Sequence, residues 1–197
     1  MTDYVELLCL PRLLQQLSIE APQVRIDTCN LGPNLPLDAL DKGELDLALG
    51  RFAELPPRVM RRPWLQETLQ LAVRRDHPQV QRAPDLQGFL ALRHLWVHGG
   101  QSKGMVDQWL NEQGLQRQIT CTTANYLQAA HIAASTDLVA VLPRRLARYF
   151  AGLLPLQLHE LPFALEPFEL EITSVALRES DPALQWLIGK IARLVQP

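Results

Sequence analysis

Basic surplus, paired cysteines, long apolar runs and catalytic motifs are all missing from this sequence, and each absence excludes a class of protein. Nineteen Lys and Arg against 21 Asp and Glu give a net charge of −2. Phosphate binding needs a concentrated basic surface, so no nucleic-acid grip is expected on this chain itself. The basic pairs Arg61-Arg62, Arg74-Arg75 and Arg144-Arg145 sit beside acidic or apolar neighbours and read as solvated surface. The three cysteines, Cys9, Cys29 and Cys121, lie far apart in apolar stretches, with no CxxC or Cys/His spacing of a metal site. An odd count fits a reduced, cytoplasmic protein. No stretch reaches the roughly 18 apolar residues of a membrane span, and the opening MTDYVELLCLPRLL, acidic early and interrupted by Pro11, does not read as a secretion signal. No internal repeat or low-complexity tract occurs.

Chemistry is equally sparse. There is no GxSxG elbow, P-loop or GxGxxG, and Gly99-Gly100-Gln101-Ser102-Lys103-Gly104 lacks the GK[ST] order of a phosphate loop. Glu44 and Asp46 enter a strand and read as structural. No catalytic set, metal or cofactor is expected. His77 falls in a linker, His131 reads as core, and no two histidines have zinc spacing.

What remains is a globular composition, 47% hydrophobic and 20% charged over 197 residues. Strand and helix patterns alternate through it. Residues 3–20 read as an amphipathic helix with Leu7, Leu10, Leu14 and Leu17 on one face, capped by Thr2 or Asp3 and kinked or split at Pro11. Residues 24–28 alternate as a strand. Asn34 starts a short helix that Gly43 stops, and Leu45 to Leu49 reads as a buried parallel strand. Residues 51–63 are loop, 67–74 a strand and 76–84 a linker. Then follow a strand at 94–98, a helix at 102–113 with Met105 and Trp109 on its core or dimer face, a strand at 118–122 and a helix at 125–135 with Leu127, Ala130, His131 and Ala134 along one side. A strand at 138–142, a helix from Pro143 to Phe150, a strand at 169–177 and a helix at 181–195 complete the chain. Such alternation implies parallel sheets faced by helices.

Four strings, LPRLLQQLSIEAPQVRI, ALDKGELDLALGRF, ETLQLAVRRDHP and ASTDLVAVLPRRLA, resemble the effector-binding domain of LysR-type transcription regulators, in order and in register across nearly the whole chain. Thr2-Asp3 and the block Ser135-Thr136-Asp137-Leu138 look most like the branch that answers aromatic compounds such as salicylates and nitroaromatics. The resemblance implies two Rossmann-like lobes joined by crossover strands, similar to periplasmic solute-binding proteins (type 2). Lobe I would comprise 1–74 and 164–197, and lobe II 75–163. It also implies a homodimer or tetramer paired through helices such as the Leu7–Leu17 one, with DNA contacted only through an N-terminal winged helix-turn-helix that this chain does not include. The family's first strand, central to its sheet, would run straight into Thr2; almost none of it is present, so unpaired backbone is expected nearby.

In open α/β sheets ligands bind beyond the carboxyl ends of strands, where helix N-termini present N–H groups and partial positive charge. Thr2, Gln101, Ser102 and Asn125 stand at such corners, with Tyr126 as an aromatic wall and His98 as a further donor; each polar one would also serve as an ordinary cap or a satisfied core group. Asp3, uncomfortable beside an anion, reads as structural. The resemblance raises these corners to an effector site between the lobes, for a small molecule such as an aromatic carboxylate. The competing reading is a transport-type solute-binding protein of the same architecture.

Overall fold

The computed structural model describes residues 1–30, 35–52, 55–98 and 104–194. Its chain divides into two compact units, Met1–Gln66 with Glu169–Pro197, and Glu67–Phe168. The chain thus leaves the first unit and returns to it.

In the first unit, helix α1 (Asp3–Glu20) runs unbroken through Pro11. Thr2 caps it, its hydroxyl accepting from the Val5 N–H at 3.5 Å. The buried face is Tyr4, Val5, Cys9, Leu13 and Leu17, one step round from the expected stripe, and Leu14 stays 48% exposed. Leucines occupy both faces, so spacing alone could not choose. Helix α7 (Pro182–Arg193) packs beside α1 and buries Leu184, Ile188 and Ile191; Asp181 caps it through two N–H groups. Between these helices the Arg12 guanidinium donates to the Leu194 carbonyl at 3.0 Å.

The sheet of this unit has the order β1 (Ala48–Gly50), β8 (Phe168–Val175), β2 (Val59–Glu67). Strand β1 pairs antiparallel with β8, not in parallel as its apolar run suggested; full burial makes a strand apolar in either direction. Strand β2 begins inside the expected loop 51–63, takes in its last residues, 59–63, and holds the exposed Pro63, tolerated because β2 is an edge. Residues 24–28 form no strand and are largely exposed. Alternation alone does not make a strand, and no described neighbour offers its backbone a ladder. The short helix α2 (Leu37–Asp41) begins after Pro36; Asn34, its expected cap, lies outside the described residues.

The second unit carries a five-stranded mixed sheet ordered β5 (Gln118–Thr123), β4 (Arg93–Val97), β6 (Val139–Pro143), β3 (Leu69–Arg74), β7 (Leu156–His159). Strand β3, expected in lobe I, has its ladders here, to β6 and β7. Helices α3 (Leu86–Ala91), α4 (Met105–Glu112), α5 (Tyr126–Ser135) and α6 (Arg144–Ala151) accompany it. Helix α3 was not anticipated; Asp85 caps it through the Gly88 N–H at 2.8 Å. The core joins Leu71, Val73, Phe89, Val106, Leu110 and Val139, and Trp109 stacks on Phe163 with ring centroids 4.3 Å apart, so Trp109 serves the core. Helix α5 buries Ala129, Ala130 and Ala133, while His131 faces outward with its ring edge-on to Phe150. Small side chains let this helix sit close to the sheet, which moves the buried face off the larger residues. His77, on the expected linker, is fully buried. Its Nδ1 accepts from the Gln79 N–H, so its Nε2–H donates to the Asp137 carbonyl. It fastens that turn.

Candidate functional site

Strand directions bring several loops to one end of the second sheet. Strand β4 runs parallel to β5 and to β6, so the carboxyl ends of all three point the same way. Strand β3 runs against β6, with Leu69 opposite Pro143, which puts the start of β3 at that end too. Strand β7 runs against β3 and ends there at His159. His98, Thr123 to Tyr126, Pro143 to Arg145, Glu67-Thr68 and Glu160 therefore share one edge.

Three helices begin at this edge, and none has a side-chain cap among the described residues. Helix α4 starts from Gly104 and α6 from Pro143, which have nothing to offer. Helix α5 starts from Asn125, whose amide turns away to donate to the Gln128 Oε1 at 3.2 Å. By contrast α1, α3 and α7 are each capped by an oxygen side chain, from Thr2, Asp85 and Asp181. A helix start without such a cap keeps roughly half a positive charge even where a backbone carbonyl takes one of its N–H groups, as Thr68 takes that of Arg144 at 2.8 Å in α6. Three of them at one edge make an anion-attracting surface.

The expected residues distribute as follows. His98, Asn125 and Tyr126 lie together at this edge, all half-buried, with the His98 N–H on the Thr123 carbonyl at 3.0 Å and the His98 ring 5.7 Å from that of Trp96. Thr2 belongs to the first unit, as the cap of α1. Gln101 and Ser102 lie outside the described residues.

Residues that sequence reasoning passed over complete the edge. Arg144 and Arg145 open α6, where the helix dipole favours acids over cations. Far from loose solvated surface, Arg144 donates to the Thr68 hydroxyl at 3.0 Å and to the Glu160 carboxylate. Arg145 is half exposed and stands 3.8 Å from Glu67, a carboxylate with only 3% of its side chain exposed. The signal was legible: two cations directly after a strand-ending proline, at a helix start. The other basic pairs are also engaged, Arg61 with Glu171 and Arg74 with Asp137.

A separate cavity of about 270 Å³ lies along α4 and the start of β5, lined by Trp96, Leu110, Leu115, Ile119 and the ion pair of Asp107 with Arg117. No group of three or more His, Cys, Asp or Glu among the described residues has the arrangement of a metal site.

An α/β unit with a mixed sheet, whose helix starts without side-chain caps gather at one sheet end, defines a class, the α/β domains that hold small ligands at strand termini. Comparison narrows the class to one family. The LysR substrate binding domain matches residues 1–195, and the chain belongs to that family, with its periplasmic-binding-protein-like type 2 fold. It is 34% identical over 194 residues to the HTH-type transcriptional regulator SyrM 1 of Sinorhizobium fredii, covering 98% of this chain and 56% of the relative. Among solved structures, the transcriptional regulator PA0477 of Pseudomonas aeruginosa is 34% identical with a TM-score of 0.89, covering 96% of this chain and 63% of that one. The regulatory domain of MexT, a transcriptional activator of the same organism, is 27% identical with a TM-score of 0.80, over 98% and 96%. The chain thus spans little more than half the length of the curated regulator it matches, and all three matches are transcription regulators, which favours that reading over a transport protein.

Proposed function

We propose that this domain senses a small carboxylate, held at the carboxyl edge of the second sheet, for a transcription regulator. The observation that carries it is the convergence of three helix starts without side-chain caps, those of α4, α5 and α6, joined by Arg145. The Tyr126 and His98 rings at this edge favour a planar ligand. Binding shifts the domain only so far as it discriminates between two arrangements. In the whole protein that shift alters DNA binding through a separate N-terminal domain. The domain acts in the cytoplasm, where its three free cysteines stay thiols, and it carries out no catalysis. It pairs with a second copy through α1 and the segment after it, where Leu14, Ile19 and Val24 are exposed.

A thermal-shift screen tests the ligand. Benzoate, hydroxybenzoates and aliphatic carboxylates are compared with their neutral amides. A ligand at about 100 times its dissociation constant adds roughly 2.7 kcal/mol. Carboxylates are expected to raise the melting temperature and Arg145→Gln to weaken that response. Stabilisation by amides but not by carboxylates would overturn the reading.

A further inference from the structure

We propose that Arg144 is a clamp that fixes the outgoing passage between the two units to the first turn of α6. The first unit gives way to the second between Gln66 and Glu67, and a single residue, Thr68, separates strand β2 from β3. Every polar group of Thr68 is committed. Its carbonyl accepts the Arg144 N–H at 2.8 Å and its hydroxyl accepts the Arg144 Nε–H at 3.0 Å. Its own N–H donates to the Glu67 carboxylate at 2.9 Å. The far arm of Arg144, through Nη2, donates to Glu160 Oε2 at 2.5 Å, and the Gln70 amide donates to the other oxygen of Glu160 at 3.0 Å. Three segments, 67–70, 144 and 160, are thereby tied into one body.

A planar, forked guanidinium can hold a hydroxyl and a carboxylate at fixed angles at once, which a lysine cannot. Hydrogen bonds from a charged donor are also about twice as strong as neutral ones. The consequence is mechanical. Past Glu67 the passage has no freedom independent of α6, so a displacement of the α6 start reaches the passage directly, and bending falls on the residues before it. Glu67 and Arg145, the charged pair at the ligand edge, are the immediate chain neighbours of the clamped Thr68 and Arg144. The link to ligand rests on the function proposed above; the clamp itself does not, and it is tested without any ligand.

The experiment uses spin labels at Glu112→Cys and Glu179→Cys, exposed positions on the two units, in a Cys29→Ser, Cys121→Ser background. Distance distributions and amide exchange are compared between this parent, Arg144→Gln and Thr68→Val. The clamp predicts a broadened distribution in both variants and roughly tenfold faster exchange at the Thr68 and Arg144 amides, with far-ultraviolet circular dichroism unchanged. Should Arg144→Gln fail to fold, Thr68→Val and Glu160→Ala decide, since Glu160 is largely solvent-exposed. Folded variants with the parent's exchange rates and the parent's distribution would overturn the clamp, whatever the carboxylate screen returns.

Discussion

His94 has no solvent exposure, and its environment fixes its proton. The Nε2–H donates to the Phe89 carbonyl at 2.8 Å, while Nδ1 is buried without a partner. Burial pushes its pKa down to about 4, helped by the nearby Arg117 and opposed by the Phe89 bond. The folded state therefore holds His94 neutral, while the unfolded chain protonates it below about pH 6.5. Unfolding takes up the proton, so this contribution is complete above pH 6.5 and is lost as pH falls towards 4, on the order of 3 kcal/mol in all. Melting temperature measured against pH should fall across that window, and His94→Leu should flatten the slope. Arg117 is a second residue under strong constraint. Its side chain is 3% exposed and grips Asp107 through two bonds of 2.7 and 2.8 Å. Arg117→Met leaves Asp107 without its partner and should cost roughly 3 kcal/mol in urea unfolding, more than Asp107→Asn, Arg117→Met combined. Neither role could be read from residue type: spacing shows a strand histidine and a loop arginine, and only the packing around them makes one neutral and the other indispensable.

At the level of elements, caps divide the helices into two kinds. Asp85 holds the start of α3 through the Gly88 N–H, so Asp85→Ala should destabilise by about 1 kcal/mol in chemical denaturation. Asn125 stands at the start of α5 without capping it. Asn125→Asp therefore separates structure from ligand binding. A carboxylate there interacts favourably with the helix dipole, by about 0.3–1 kcal/mol, while it repels a bound anion. The expected outcome is a slightly higher melting temperature for the free protein and a weaker response to carboxylates. A weakened fold with an unchanged response would make Asn125 an ordinary structural residue. Most elements were legible from periodicity and capping residues, including α5, α7, β4, β5, β6 and β8. The missed ones have physical reasons. Helix α3 has only six residues and little periodicity to show. Strand β7 has four. Residues 24–28 have a strand's alternation but no partner, and pairing is a property of two segments, not one.

Across the whole molecule, each unit buries its own core. Phe89 is fully buried in the second, against His94 at 4.6 Å and Phe163 at 5.3 Å. Phe89→Ala should cost about 3–5 kcal/mol through lost contact and a residual cavity. Amide exchange should accelerate first at Leu71, Val73 and Val139 of that unit, and less at Ile172 and Ile188 of the other; equal acceleration in both would show that the two cores unfold together. The alternation of most strands and helices and the family strings were legible in the sequence alone, because periodicity, capping chemistry and motif spacing are local. Strand direction, the buried face of α1, the gathering of Glu67, Arg144, Arg145 and Glu160 at one sheet edge and the orphaned nitrogen of His94 were decided only by the tertiary structure. Each of these depends on which distant segment supplies the opposing hydrogen bond or surface, and local pattern carries no record of that partner.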